Sequence, residues 1–489
     1  MTDAIILSRP ARLAAGLTHA SDEELEYLFT HKRIQIRLEE RFACLPDSRE
    51  AFSLAVNQCL RFCPNISVYV PPSESALTVE CRELSRRIHA SRSNLIPVAS
   101  DDTSDFDAIL NVGSKVAEGL PWITINSGGW VGRLAGPGSG VENLFWERQP
   151  QNPLGAIAAA CLGTGAVFLH IIGQLPPLAA EFSLFTHECA TPGTLAAGPQ
   201  LPSFPLTLNA FVVGCGAVTN GWAYAIKRLP VIGELQAIDR QTLRIENLGT
   251  YVAADRGWLQ QPKVELIRTL LSPRITVTPR PEEWEFFKIR LKYGIACPDI
   301  IVNGLDNVET RHSVQRLWPG TLVDMAAGGL TSQVIVSQPS KGGMCLLRGL
   351  IRPPDEMAWA ERLSRQTGLR IERILNEPTM PITQEDVEMA RPQNRADLER
   401  ARGRLICGHV TRQNLEMEEV DPDFAPAVPF VTSWSGVVGA AETLKWLMGH
   451  QHNLSLFYQK SFQSARVRAL NMICDQLCEC HRLNPFTAA

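Results

Sequence analysis

An apolar run, Phe211-Val212-Val213, leads into Gly214-Cys215-Gly216, and a helical pattern follows as far as Leu229. Glycines in that position let backbone N–H groups approach phosphate oxygens, and the start of the helix adds the positive end of its dipole. The next apolar run ends at Asp239. An acidic residue at the end of that strand hydrogen-bonds a ribose hydroxyl in nucleotide-binding βαβ units. These features alone suit NAD as well as ATP. Further along come Asn247-Leu248, then Lys263 in QQPKVE, then Asp306-Asn307 and Arg311 in NGLDNVETRH. An anion cradle, a lysine and one oriented carboxylate fit the attack of a substrate carboxylate on a phosphate. Such a nucleophile is already ionised at pH 7 and needs no general base. The difficulty is bringing two anions together, which calls for cationic side chains and Mg2+.

The elements that must position these groups repeat along the chain. DAILNVGS (107–114) matches DIIVNGLD (299–306), and both read as buried parallel strands. PWITINSGGWVG from Pro121 matches PGTLVDMAAGGLTS from Pro319. A small-residue helix from Asn152 matches another from Thr432. Before Asp107 the pattern reads helix 49–61, strand 66–70, helix 79–89, strand 95–99. Before Asp299 it reads helix 220–228, strand 233–239, helix 254–271, strand 275–278. Alternation of this kind predicts parallel sheets covered on both faces, in two related α/β domains. Only the second opens with a glycine-rich loop.

The ordered series from Phe211 to Val334, with the closing helix 435–449, resembles the ThiF/MoeB/ubiquitin-activating enzyme superfamily. The resemblance implies two Rossmann-like adenylation-type domains in tandem, the first degenerate. It implies that Gly214 and Gly216 line an ATP loop, Asp239 holds the ribose, and Asn247 and Lys263 contact phosphates. Asp306 would bind Mg2+ or position the triphosphate, with Asn307 and Arg311 beside it. Three positions depart from the family pattern: Thr219 stands for the third loop glycine, Gln241 for a second acid, and Thr250 for an arginine. In this family an arginine from a neighbouring half often reaches the ATP. RIQIR (33–37) offers Arg33 or Arg37, against the plainer reading of an amphipathic helix with a solvated face. The first copy has Gly113-Ser114 where the second has Leu305-Asp306, so it is expected not to bind ATP.

The expected organisation is an inactive adenylation-like domain over 1–175, a Pro-rich linker over 176–208, and an active domain over 209–334 and 431–489. An insert over 335–430 carries the candidate catalytic cysteine. Family members that go on to form a thioester use a cysteine in a comparable insert. Here Cys407 is the candidate, with Arg404, His409 and Arg412 able to lower its pKa. Cys345 reads as a buried strand residue. The chain contains no Cys-x-x-Cys; Cys474, Cys478, Cys480 and His481 are four zinc-capable residues at a non-standard spacing.

The resemblance therefore implies ATP-dependent adenylation of a ubiquitin-like protein, then thioester formation on Cys407 and hand-over to a conjugating enzyme. A compact bacterial conjugation system, a class that includes antiphage operons, is the setting it suggests. The rivals are a sulfur-carrier adenylyltransferase, an NAD-dependent Rossmann enzyme and a non-catalytic scaffold. A net charge of −4 gives no basic footprint for nucleic acid. Thirteen cysteines, an odd number, suit reduced thiols in a cytoplasmic setting. No targeting segment is evident at the start. The stretch 154–173 has no Asp, Glu, Lys or Arg, yet its Ala/Gly content and His170 predict a buried helix rather than a membrane span.

Overall fold

A computed structural model describes residues 2–18, 20, 22–89, 95–98, 105–118, 121–144, 152–291 and 297–341. It further describes 343, 345, 346, 361, 363–365, 367–377, 380–403, 406, 409, 427–450, 455–463 and 467–470. The first half runs α1 (Thr2–Thr18), α2 (Asp22–His31), β1 (Ile34–Leu38), α3 (Glu40–Ala43), α4 (Pro46–Leu60), β2 (Ile66–Tyr69) and α5 (Ser75–Ile88). It continues β3 (Ile96–Pro97), β4 (Ala108–Val112), β5 (Trp122–Gly128), β6 (Val131–Ala135), α6 (Leu154–Ile171), β7 (Ala179–Ser183) and β8 (Cys189–Ala190). The second half runs β9 (Leu206–Val213), α7 (Ala217–Ile226), β10 (Val231–Ile238), α8 (Lys263–Leu271), β11 (Ile275–Arg280), α9 (Trp284–Leu291), β12 (Ile300–Asn303), α10 (Val308–Gln315), β13 (Thr321–Gly328) and β14 (Thr331–Ser337). After the insert helices α11 (Ile371–Asn376), α12 (Gln384–Met389) and α13 (Pro392–Ala401) come α14 (Pro429–Leu447), β15 (Ser455–Ser461) and β16 (Val467–Leu470).

The two sheets have one topology. The first is ordered β3-β2-β1-β4-β5-β6-β7-β8 and the second β11-β10-β9-β12-β13-β14-β15-β16. In each, the first five strands in that order are parallel and the last three antiparallel. The expected α/β fold with two related domains is thus what forms. In each sheet the strand order reverses beside the central strand, between β1 and β4 or between β9 and β12. Ligands of open α/β sheets bind in the crevice at that point, beyond the carboxyl ends of the strands.

Three expectations are corrected. Residues 34–38 are not a helix but β1, the centre of the first sheet and the counterpart of β9. Gln35 and Arg37 are buried there. Arg37 lies over the rings of Tyr69 (4.5 Å) on adjacent β2 and Trp122 (5.4 Å) on β5, one strand beyond β4, and donates to Gln35 Oε1. Polar side chains satisfied in this way hide a central strand from a hydropathy pattern. The stretch 176–208 is not simply a linker, because β7 and β8 extend the first sheet. Its prolines flank these strands, so none removes a ladder donor. Residues 254–262 are not helical apart from a 3-10 turn at Arg256–Trp258, and α8 starts only after Pro262.

One apolar core spans both halves. α6, the stretch long and apolar enough to cross a membrane, is enclosed by β5, β6, α4 and α14. Phe168 on α6 meets Phe430 on α14, and Phe182 on β7 meets Trp434 on α14, at ring separations of 5.4 and 5.0 Å. Part of the insert has a small core of its own, including Leu369, Ile374, Ile382, Val387 and Leu398. α14 crosses α7 at Gly436. A Cβ at Gly436 would stand against the backbone of Gly221, Trp222 and Val218. Backbone cannot move aside as a side chain can. Gly436→Val should therefore lower the unfolding free energy by about 2 kcal/mol or more. Urea denaturation at unchanged slope would read this, and an unaltered midpoint would show that the two helices do not need this close approach.

Candidate functional site

β9 delivers the chain to Gly214-Cys215-Gly216, and Gly216 is the residue on which α7 begins. Gly214 has φ +77°, and a Cβ on it would lie 2.9 Å from the backbone of Gly304 and Leu305. Only glycine meets both conditions. The first-turn N–H groups of α7 have no intrahelical partner and face the crevice end of the helix. Thr219 Oγ donates to the Gly214 carbonyl at 2.5 Å. The residue that departs from the family pattern thus ties the loop. The close packing a third glycine would allow is provided two residues later by Gly221, whose backbone lies against Thr432 and Ser433 at the start of α14.

Asp239, at the end of β10, fixes the loop from the side. Its carboxylate accepts from the Cys215 N–H at 2.8 Å and from the Gln241 N–H at 2.7 Å. Cys215 itself is buried, and burial followed by the charge of Asp239 pushes its thiol pKa well up, so it is no nucleophile. Lys263, the first residue of α8, is also buried. Its ammonium donates to Gln241 Oε1 at 2.6 Å and lies 5.6 Å from the Tyr251 ring centroid. Burial alone would strip its proton. Tyr251, through its charge interaction and a hydrogen bond, and the carboxylates of Asp239 and Asp306 outweigh that and hold the pKa above the ordinary lysine value. Lys263 therefore stays cationic through neutral pH. Gln241, a neutral residue where the family has an acid, still serves as its acceptor.

Asp306 is exposed in the turn after β12. Asn307 caps α10, its Oδ1 accepting from the Thr310 N–H at 3.0 Å. Asn247 closes the 3-10 turn Ile245–Gly249 by accepting from the Arg244 N–H at 2.9 Å. Arg311 is buried against Asp324 on β13, with Nε to Oδ1 at 3.1 Å, and Asn303 donates to the same carboxylate at 2.7 Å. Neither Arg33 nor Arg37 is directed to the loop by these contacts. Arg33 pairs with Asp105 at 3.6 Å and lies over Phe106. An arginine that does approach this region from the first half is Arg9. It sits on α1, which packs on the turn Ile245–Gly249, and comes within 3.5 Å of Thr250 Oγ1. Its charge also reaches Tyr251. The only sequence signal for it was an arginine on an apolar first helix.

Cys407, with Arg404 and Arg412, lies outside the described residues, as do Cys474, Cys478, Cys480 and His481. His409 is buried, and so is Cys345. Among the described residues, no group of three or more His, Cys, Asp or Glu side chains is placed to hold a metal.

In the first half the matching crevice is filled from within. Glu39 follows β1 at the place of the glycine loop. Its Oε1 accepts from Asn111 Nδ2 and from the N–H groups of Ser114 and Lys115, at 2.9, 3.0 and 2.9 Å. A Cβ on Gly113 would run into that carboxylate. A carboxylate thus stands in the first half at the place the glycine loop takes in the second.

A model of the ThiF family matches residues 206–480. An uncharacterized protein of Sinorhizobium fredii (strain NBRC 101917 / NGR234), y4jF, is 24% identical over 298 residues, covering 58% of this chain and 54% of that one. The chain thus spans about half the length of that curated relative. Among solved structures, Escherichia coli MccB with ATP is 14% identical with a TM-score of 0.35, over 56% of this chain and 66% of that one. PaaA is 15% identical with a TM-score of 0.32, over 54% and 72%.

Asp239 offers a direct check on the loop. Asp239→Ala leaves the Cys215 and Gln241 N–H groups without their acceptor and should cost about 1–3 kcal/mol in urea unfolding. Asp239→Asn, which keeps one acceptor oxygen, should recover part of the loss. An alanine variant as stable as the parent would mean that this carboxylate does not hold the loop.

Proposed function

The chain belongs to the ThiF family, and from that premise we propose that it uses MgATP to adenylate the C-terminal carboxylate of a ubiquitin-like protein. The observation that carries the reading is the convergence of Asp239, Asp306, Tyr251 and Gln241 on one buried cation, Lys263, beside the Gly214–Gly216 loop. In the proposed complex the loop and the start of α7 receive the phosphates. Asp239 has lone pairs beyond the two already used and takes the ribose hydroxyls. Lys263 and Asn247 approach the phosphates, while Asn307 orders the turn that presents Asp306. Arg9 reaches in from the first half. Arg311 holds Asp324 and so supports the end of β12 rather than touching nucleotide.

The substrate carboxylate attacks the α-phosphorus, the bond to the β-phosphate oxygen breaks, and pyrophosphate leaves as the acyl-adenylate forms. The cations neutralise charge that grows on the phosphates as the two anions meet. Mg2+ would arrive with ATP. Asp306 would help hold it, and the ion would offset charge on the phosphates. The Glu39 carboxylate in the first half supports assigning all turnover to the second half.

Transfer of the acyl group to the Cys407 thiolate, releasing AMP, is the proposed second step, with a conjugating enzyme as the next acceptor. The assay is pyrophosphate exchange into ATP. It should depend on the ubiquitin-like protein, and Lys263→Ala should lower it by about 100-fold or more. Correctly folded protein that supports no exchange with any such partner would end the proposal. Cys407→Ala should keep exchange and lose the thiol-sensitive conjugate. A conjugate that survives this substitution would clear Cys407 as the acceptor, whereas a parent that supports exchange yet forms no thiol-sensitive conjugate would leave adenylation as the whole activity, as in a sulfur-carrier adenylyltransferase.

A further inference from the structure

The silent half contributes more than burial to the interface. The chain from Leu248 to Ala254 runs past the nucleotide loop and carries Tyr251, with Asn247 at its head. Four carbonyls along it, at every second residue, are each taken by a side chain. Arg61 Nη1 donates to the Leu248 carbonyl. Thr432 Oγ1, on α14, donates to the Thr250 carbonyl at 3.1 Å. Asn57 Nδ2 donates to the Val252 carbonyl at 2.7 Å, and Arg61 Nη2 to the Ala254 carbonyl at 2.9 Å. Three of the four donors thus come from two residues of the first half. Asn57 lies on α4, with Arg61 one turn later at its end.

The pair is tied together before it grips. Arg61 Nε donates to Asn57 Oδ1 at 2.8 Å. Arg61 is fully buried and Asn57 nearly so. No carboxylate hydrogen-bonds Arg61 among these contacts. A buried guanidinium without a hydrogen-bonded carboxylate is costly; burial, opposed by the charge of Asp255, pushes its pKa down to about 9, so it remains charged at neutral pH. An apolar residue of similar volume would be the cheaper way to fill this space. What an apolar residue lacks is the fork that fixes two carbonyls six residues apart in one geometry.

We propose that Asn57 and Arg61 of the silent half are positioning residues that clamp the Leu248–Ala254 segment and so set Asn247 and Tyr251 against the nucleotide. Tyr251 in turn meets Lys263, so a loosened segment lets the lysine's seat drift. This rests on the reading that the second half binds ATP. The first half then serves as a template for the active site, which explains why a half with no open anion seat is retained as a folded partner.

The test uses the full-length chain with Arg61→Met, Arg61→Lys and Asn57→Ser. Methionine keeps the stem and removes every donor; lysine keeps the charge but reaches one carbonyl. The KM for ATP in pyrophosphate exchange should rise about tenfold in Arg61→Met and less in Arg61→Lys, with the KM for the protein substrate unchanged. Hydrogen exchange should quicken in 245–255 while β9 and α7 stay protected. If Arg61→Met does not fold, Asn57→Ser carries the same two readouts. Folded variants with parental ATP KM and parental exchange across 245–255 would overturn the clamp. A parent that binds no ATP would instead overturn the nucleotide reading, and the hydrogen-exchange arm would still judge the clamp.

Discussion

At the place where each sheet reverses its strand order, the turn after the central strand borders a crevice that can seat an anion. The whole chain is arranged around what occupies that seat. In the first half it is the carboxylate of Glu39, held by Asn111 and by the N–H groups of Ser114 and Lys115. In the second half Gly214 and Gly216 leave the seat without a side chain, and Asp239 steadies the loop from outside it. An open seat of this kind is stable only with positive charge nearby, and Lys263 supplies it at the cost of burial. One topology used twice therefore gives two opposite electrostatic outcomes, through the difference between a glycine turn and a glutamate.

The halves divide the work without dividing the core. Phenylalanines from α6 and β7 pack on α14, and Tyr224 on α7 and Arg228 just beyond its end meet Glu50 on α4 at 2.6 and 2.5 Å. Across the same boundary, Arg9 and Arg61 approach the segment that borders the nucleotide loop. Some of the polar cross-half contacts thus fall on the segment beside the nucleotide loop. An arrangement of this sort makes each half's fold a condition of the other's geometry.

Much of the second half was legible in the sequence. Gly214, Asp239 and Lys263 carry local signals, because a loop, a strand end and a helix start each demand particular residue types. The duplication was legible too, since buried parallel strands ending in turn residues repeat visibly. β1 was not, because Gln35 and Arg37 interrupt its apolar character, and the partners that satisfy them, each other and the rings of Tyr69 and Trp122, come together only in the folded sheet. β7 and β8 were masked by the prolines around them. Arg9, Arg61 and the turning of Arg311 toward Asp324 were beyond reach for a different reason. Their partners are distant in sequence or chosen by packing, as with Arg61 and Leu248, 187 positions apart. Local propensity holds no trace of such pairings.

The central claim is that one triphosphate sits among the Gly214–Gly216 loop, Lys263 and Asp306. A crystal structure of the full chain with a non-hydrolysable ATP analogue and Mg2+ tests it most directly. The account predicts phosphates over the start of α7, the Lys263 ammonium in contact with them, and an undisturbed Glu39 in the first half. Nucleotide bound beside Glu39 instead, or phosphates that leave Lys263 and Asp306 untouched, would contradict it.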